Sequence, residues 1–469
     1  MFVRLFPDLG TGYIALEWII RVAMTLVVPF RRSPGATRSW LLLIYFLPVP
    51  GALFYAAIGR PRFPKWRAER FANLADFYDR LRTTLAPAGK IDGYEESAAL
   101  VQRVGGMPKV AGNSVELIDC YDAVMDRLVV DIDAARHHVR ILVYLFANDV
   151  TGTKVIDALG RAKRRGVECH VLIDPVGSHK WLKGTRAALQ AVGVETREAL
   201  PFRLLRGRTR RDMRNHRKLF LIDGVVGYAG SQNIVDKDFR PGVTNHELVA
   251  RVTGPVVAEM TGAFLADWYL ETEVMLEEHT PLPVSDGDVT AQLLPSGADY
   301  KCEGFQTFLV WKIHRAEQHI LITTPYLIPD EDLLSAMRTA VLRGVVVDLV
   351  VSAIADQKLV NMAQRSYYQE LIDSGVRIHR FRDFLLHAKN VSIDGSVAII
   401  GSSNVDIRSF QLNEEVSLVL YGADAVAPLE AIQRAYLEAS DPVDPMRWRQ
   451  RSGLEKVGEN IARMVSPLL

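Results

Sequence analysis

Asn215-His216-Arg217-Lys218-Leu219-Phe220-Leu221-Ile222-Asp223 reads His-x-Lys-x4-Asp, and the pattern returns at Leu386-His387-Ala388-Lys389-Asn390-Val391-Ser392-Ile393-Asp394. The flanks repeat with it. Gly230-Ser231-Gln232-Asn233 begins 14 residues after the first His, and Gly401-Ser402-Ser403-Asn404 begins 14 residues after the second. Each copy reads as strand, Asp-Gly turn, strand. Side chains alternate faces along a strand, so His216 shares a face with Lys218 and His387 with Lys389. Ser231 and Asn233, like Ser402 and Asn404, share a face where the next strand ends. Asp223 and Asp394 fall out of parity with their His and read as structural partners that hold the motif.

An imidazole, an ammonium, a hydroxyl and a carboxamide on one face suit a phosphate diester. Lys brings charge, Ser and Asn bring neutral donors, and His attacks or moves a proton. Two sets allow two-step chemistry through a phosphohistidine. Each His needs a carboxylate to fix its tautomer. Glu247 and Glu415, 31 and 28 residues after the His of their own half, are the candidates.

Outside the motif the halves also match. Strands are expected at Ser114–Ile118, Val139–Phe146 and Val167–Ile173, with helices at Ala123–Arg136 and Lys154–Arg165. Ala135–Val139 returns as Ala316–Ile320, Tyr144 as Tyr326, and Arg165-Gly166-Val167 as Arg343-Gly344-Val345. Alternating strands and helices indicate a mixed α/β sheet. A domain-sized repeat in 469 residues excludes a solenoid. The boundary is expected near Thr280–Gly287.

Two apolar runs precede the repeat, at 13–30 and 40–58. Each is about long enough to cross a bilayer, which takes roughly 20 residues. Glu17 and Arg21 interrupt the first and are spaced to pair on a helix. Pro48 and Pro50 interrupt the second. Arg60, Arg62, Lys65, Arg67 and Arg70 follow the runs and favour a cytoplasmic catalytic part, whereas Arg31, Arg32 and Arg38 between them pull the other way. Two solutions stay open: a shallow hairpin broken at the prolines, or a translocated loop. The expected organisation is a two-helix membrane anchor over 1–66, an interfacial segment over 67–110, and two domains over 111–280 and 281–469.

The duplicated motif resembles that of the phospholipase D superfamily, and the finer likeness is to bacterial cardiolipin synthases of that type. Gly230–Asp236, Thr324-Pro325-Tyr326-Leu327-Ile328-Pro329-Asp330, Asp406-Ile407-Arg408-Ser409-Phe410 and the terminal Ser466-Pro467-Leu468-Leu469 carry it. Departures are Asn245-His246-Glu247, where the family often has Trp-x-Asp, and the apolar Leu142-Val143 before Tyr144. The resemblance implies two phospholipase D-like domains related by a pseudo-two-fold, with both motifs at one cleft. It implies phosphatidyl transfer between two phosphatidylglycerol molecules with release of glycerol, and no metal or organic cofactor. His216 would be the nucleophile and His387 the acid and base. Lys218, Lys389, Asp223 and Asp394 complete the motif, and Ser231, Asn233, Ser402 and Asn404 hold the phosphate. Hydrolysis, or transfer to another alcohol, is the rival reading. The implied setting is multi-pass attachment to the bacterial inner membrane.

The formal net charge of +1 gives no bulk argument for nucleic-acid binding. Cys120, Cys169 and Cys302 lack CxxC spacing, which argues against a disulfide scaffold or a Cys zinc site. Arg203, Arg206, Arg208, Arg210, Arg211, Arg214 and Arg217 lead into the first motif and are expected to form an electropositive lip.

Overall fold

The computed structural model describes residues 7–32, 34–59, 63–86, 93–201, 212–276, 284, 287–300 and 302–465. Arg60, Arg62, Arg203–Arg211, the terminal 466–469 and most of the expected boundary at 280–287 lie outside the described residues.

The first half contributes β1 (Val110–Ile118), β2 (His138–Val143), β3 (Glu168–Ile173), β4 (Glu195–Glu198), β5 (Leu219–Ile222), β6 (Val226–Gly230), β7 (Asn245–His246) and β8 (Val249–Thr253). The second contributes β9 (Val289–Ser296), β10 (His319–Thr323), β11 (Leu327–Ile328), β12 (Val346–Ser352), β13 (Arg377–Phe381), β14 (Leu385–Leu386), β15 (Asn390–Ile393), β16 (Val397–Gly401), β17 (Val405–Asp406), β18 (Glu415–Tyr421) and β19 (Ser440–Pro442). Fifteen of these form one sheet in the order β19-β13-β12-β10-β15-β16-β18-β9-β1-β8-β6-β5-β2-β3-β4. Read outward from the β9–β1 junction, the two sides carry the same sequence of roles. This is the expected pseudo-two-fold, with the two halves fused through one antiparallel pair.

Local sequence repeats the symmetry. Asp149 and Asp330 each cap a following helix by accepting a hydrogen bond from the N–H three residues on, at 2.9 and 3.0 Å. Gly166 and Gly344 lie just beyond the C-termini of those helices with φ of 89° and 90°, the left-handed conformation in which glycine carries no Cβ penalty. Parallel pairs β2–β3 and β10–β12 are almost wholly buried, which is why they read as unbroken apolar runs.

The N-terminal segment is α1 (Pro7–Val27), α2 (Pro34–Phe46) and α3 (Pro48–Ile58). The second apolar run is therefore two helices. It breaks at Leu47, ahead of Pro48. Next come α4 (Lys65–Ala72), α5 (Ala75–Leu85) and α6 (Glu95–Gly105). These are more than a connector. Val101 of α6 sits in the core of the second half, and Arg67 of α4 is fully buried. Arg67 thus adds no exposed charge to the cations that follow the apolar runs.

Candidate active site

Each motif Asp closes its hairpin. Asp223 and Gly224 have φ of 52° and 64°, and Asp394 and Gly395 have 52° and 56°. Two successive left-handed residues match the twist of the flanking strands. The Asp223 carboxylate accepts hydrogen bonds from the backbone N–H of Arg136, His137 and His138 at 2.7–2.8 Å, and Asp394 accepts from Glu317, Gln318 and His319 at 2.8–2.9 Å. Both carboxylates pin the hairpin to the start of the neighbouring strand, far from the reacting face. Asp223→Ala should lower stability by about 2–4 kcal/mol, because hydrogen bonds to a charged acceptor are lost. Turnover per folded molecule should be kept. Thermal unfolding measured beside activity checks this, and a fall in turnover at unchanged melting temperature would refute it.

The His residues lie just before strands β5 and β15, in extended chain clamped by the opposite half. His216 N–H donates to the Glu414 carbonyl, and His387 N–H donates to the His246 carbonyl, both at 2.8 Å. Short β14 pairs in parallel with β7, and Asn215 bridges Glu414. These cross-half ladders decide the carboxylate partners. His216 Nδ1 faces both Glu415 oxygens at 3.0 Å, and His387 Nδ1 faces Glu247 at 2.7 Å. The sequence picks the two Glu residues, but each orients the imidazole of the other half. Sequence spacing could not reveal that exchange. With Nδ1–H donated to a carboxylate, each Nε2 keeps its lone pair for the cavity.

Burial pushes both imidazoles down, His387 to about 4, against the upward pull of its Glu. Burial alone would raise Glu247 and Glu415, but the facing His and the buried Lys residues hold both below the usual carboxylate range. Lys218 and Lys389 are pushed down to about 7 and about 8, again by burial first. Lys218 Nζ donates to the His216 carbonyl at 2.7 Å, and Lys389 Nζ to the His387 carbonyl.

Asn233 and Asn404 line the same cavity as the two His residues. Asn233 Oδ1 accepts from Leu145 N–H at 3.1 Å, which leaves its amide nitrogen for a ligand. Ser231 and Ser402 stand elsewhere than expected. Both are fully buried behind the His–Glu pairs, and Ser402 Oγ donates to Glu415 at 2.5 Å. Ser231 Oγ donates to the Leu248 carbonyl and accepts from Leu248 N–H. The preceding glycines are obligatory, since a Cβ on Gly230 or Gly401 would collide with the carbonyl of Leu248 or Val416 on the adjacent strand.

Beneath His216 lies a buried ionic cluster. Arg217 pairs with Asp267 at 2.5 Å and Glu414 at 2.7 Å, and its Nε donates to the Glu415 carbonyl at 2.9 Å. Arg217 therefore belongs to the interior rather than to an electropositive lip. Arg214, nearly as buried, keeps a place at the cavity wall.

The cavity holds about 350 Å³. Tyr144 meets the His216 ring edge-on at 4.9 Å between centroids, and Tyr326 meets His387 at 6.3 Å. The repeat aligns these tyrosines but assigns them no role. Arg240 and Asp356, from loops of opposite halves, form an ion pair across the rim, with Tyr326 Oη donating to Asp356 at 2.6 Å. No sequence signal marks that pair, because neither residue lies in the stretches matched above between the two halves. His179 is exposed and outside the cavity lining.

Among solved structures, phosphatidylserine synthase of Haemophilus influenzae Rd KW20 shares the fold, with a TM-score of 0.60 over 80% of this chain and 100% of that one at 13% identity. Polyphosphate kinase from Porphyromonas gingivalis aligns at a TM-score of 0.51, over 71% of this chain and 49% of that one, at 14% identity. The fold is that of two phospholipase D-like repeats. Residues 128–268 and 309–435 match the family described as cardiolipin synthase, PLD-like domain, and residues 18–60 match the phospholipase D-nuclease N-terminal family. The chain belongs to the phospholipase D-type cardiolipin synthase family. Cardiolipin synthase A of Erwinia tasmaniensis is 34% identical, covering 96% of this chain and 97% of that protein, and its namesake in Serratia proteamaculans is 33% identical at the same coverage.

Proposed function

We propose that the protein joins two phosphatidylglycerol molecules into cardiolipin and glycerol, with His216 as nucleophile. The observation that carries this reading is the pair of crossed His–Glu contacts around one cavity. His216 Nε2 attacks phosphorus, and the bond from phosphorus to the headgroup glycerol oxygen breaks. His387, protonated at Nε2 once the phosphodiester anion is bound beside it, gives that proton to that oxygen. The terminal hydroxyl of a second phosphatidylglycerol then loses its proton to His387 and attacks phosphorus, and the phosphorus–nitrogen bond breaks. Lys218, Lys389, Asn233 and Asn404 hold the non-bridging oxygens, while Ser231 and Ser402 steady the Glu residues. Lipid substrate and membrane association fit the family. The finer reading is attachment to a bacterial inner membrane with both halves on the cytoplasmic side.

Mass spectrometry of phosphatidylglycerol vesicles incubated with purified protein tests the reaction. Cardiolipin and free glycerol in equal amounts are expected. Phosphatidic acid without cardiolipin would make water the acceptor and overturn the synthase.

The lysines set the pH response. Both bind the phosphate only when protonated, and the free-enzyme values of about 7 and about 8 govern kcat/KM. Raising pH through that range removes the charge, so kcat/KM should fall from pH 7 to 9. A bound phosphodiester anion favours the ammonium form, so kcat should fall less. Equal decline of both would refute the assignment.

A further inference from the structure

The two apolar runs do not behave alike. Helix α1 has 21 residues, roughly 31 Å at 1.5 Å per residue, which matches a hydrocarbon core of about 30 Å. It is the one helix among the described residues long and apolar enough to cross. Helices α2 and α3 have 13 and 11 residues, roughly 20 and 16 Å, so neither spans alone. They are not stacked end to end. The Trp40 ring meets Tyr55 at 5.1 Å and Phe54 at 5.5 Å, and a Cβ on Gly51 would lie 3.0 Å from the Ile44 backbone. Contacts between residues 15 apart require that α3 folds back along α2. The tip, Phe46-Leu47, is solvent-exposed and apolar.

Turning a chain inside hydrocarbon leaves carbonyls at the break without partners, at a cost of several kcal/mol each. Here Arg21 of α1 donates from Nε to the Tyr45 carbonyl at 3.2 Å, and Thr25 Oγ1 lies 3.0 Å from Tyr45 Oη. Arg21 also pairs with Glu17 at 3.2 Å, so this ion pair of α1 is neutral in sum and serves the tip of the hairpin. That contact places the tip beside Arg21, six residues or roughly 9 Å from the Val27 end of α1 and well short of its far end. The base is fixed as well. Arg31, in the α1–α2 connection, lines a groove with Phe63, Phe71, Tyr300 and Phe410, which belong to the exit from α3 and to the catalytic halves. Both ends of the hairpin therefore lie against the catalytic part.

Resting on the membrane attachment read above, we propose that α1 crosses the bilayer once and that α2–α3 is a re-entrant hairpin, entering and leaving on the catalytic face. Arg31, Arg32 and Arg38 then stand on the same side as Lys65 and Arg70. The conflict between the two groups of cations disappears, and together they outnumber Arg4, the basic side chain ahead of α1 on the other face.

Cysteine accessibility in right-side-out and inverted vesicles decides it, with an impermeant maleimide and labelled peptides identified by mass spectrometry. Exposed Cys120 reports the catalytic face. Gly35→Cys and Glu69→Cys should react from that same face, Gly10→Cys from the other, and Phe46→Cys from neither until detergent is added. Reaction of Gly35→Cys from the face opposite Cys120 would mean two full crossings and overturn the proposal. So would reaction of Phe46→Cys in intact vesicles, or reaction of Gly10→Cys beside Cys120. Cardiolipin formation by each variant in the same vesicles verifies folding. Its absence from the unsubstituted protein would count against the proposed reaction, and the labelling pattern would still decide the topology.

Discussion

His216→Ala should lower cardiolipin formation by roughly 10³–10⁵-fold, the range expected when a covalent nucleophile is removed. His387→Ala should lose as much with phosphatidylglycerol, but for a different reason, and a changed leaving group separates the two. A phosphatidyl ester of 4-nitrophenol needs no proton to depart. With that substrate His387→Ala should release one nitrophenolate per site in a burst and then stall, because His216 is still oriented by Glu415 while no base remains for the acceptor hydroxyl. His216→Ala should give no burst. Stopped-flow absorbance reads both, and a burst from His216→Ala alone would exchange the roles of the two residues. The crossed contacts also predict which Glu follows which His. Glu415→Gln should reproduce a weakened His216→Ala, by about 10–100-fold as for partners that orient a reacting imidazole. Glu247→Gln should instead reproduce a weakened His387→Ala.

Much of this architecture is legible in the sequence because the repeat states it twice. His216, Asn233, His387 and Asn404 line one cavity, while Lys218 and Lys389 reach back to the carbonyls of their own His, and Asp223 and Asp394 hold hairpins. Three features escape for physical reasons. The exchange of Glu247 and Glu415 depends on ladders between halves, such as β7 with β14, that are too short to leave a periodic trace. Ser231 and Ser402 follow the ends of β6 and β16, but close packing behind the His–Glu pairs buries both hydroxyls, and of the Ser and Asn pairs the Asn residues line the cavity. The second apolar run has the length of one membrane span, and it takes the packing of Trp40 on Tyr55 and of Gly51 on Ile44 to show that it turns back.

Arg67→Met should destabilise the protein by about 3–5 kcal/mol at pH 8, the cost of stranding buried partners of an ion pair. Arg67 is one of the five cations that follow the apolar runs and favour a cytoplasmic catalytic part, yet it has no exposed surface. Its guanidinium meets Glu271 at 2.7 Å and Asp299 at 2.8 Å. Asp299 N–H in turn donates to Glu414 at 2.9 Å, and Glu414 pairs with Arg217. Glu271, Asp299, Glu414 and Asp267 thus share two guanidiniums, one from each side of the cluster. Burial first, and then the neighbouring Asp299, push Glu414 up to about 8. Burial also raises Asp299. A carboxyl raised in the folded state binds its proton more tightly there than in the unfolded chain. Its contribution to stability is therefore fully present below the unfolded value and lost as pH rises through the folded one. Removing Arg67 raises these carboxyls further, so the deficit of the variant should shrink from pH 8 to pH 6, and Arg67→Met/Glu414→Gln should recover part of it. Thermal unfolding in detergent across that range measures both, and a deficit independent of pH would refute the cluster as its source. Activity should fall along with stability, since Arg217 also holds the backbone of Glu415, the partner of His216. By this route the helix that follows the membrane segment becomes part of the catalytic unit, and trimming the chain to the two repeats alone should fail to give a working enzyme.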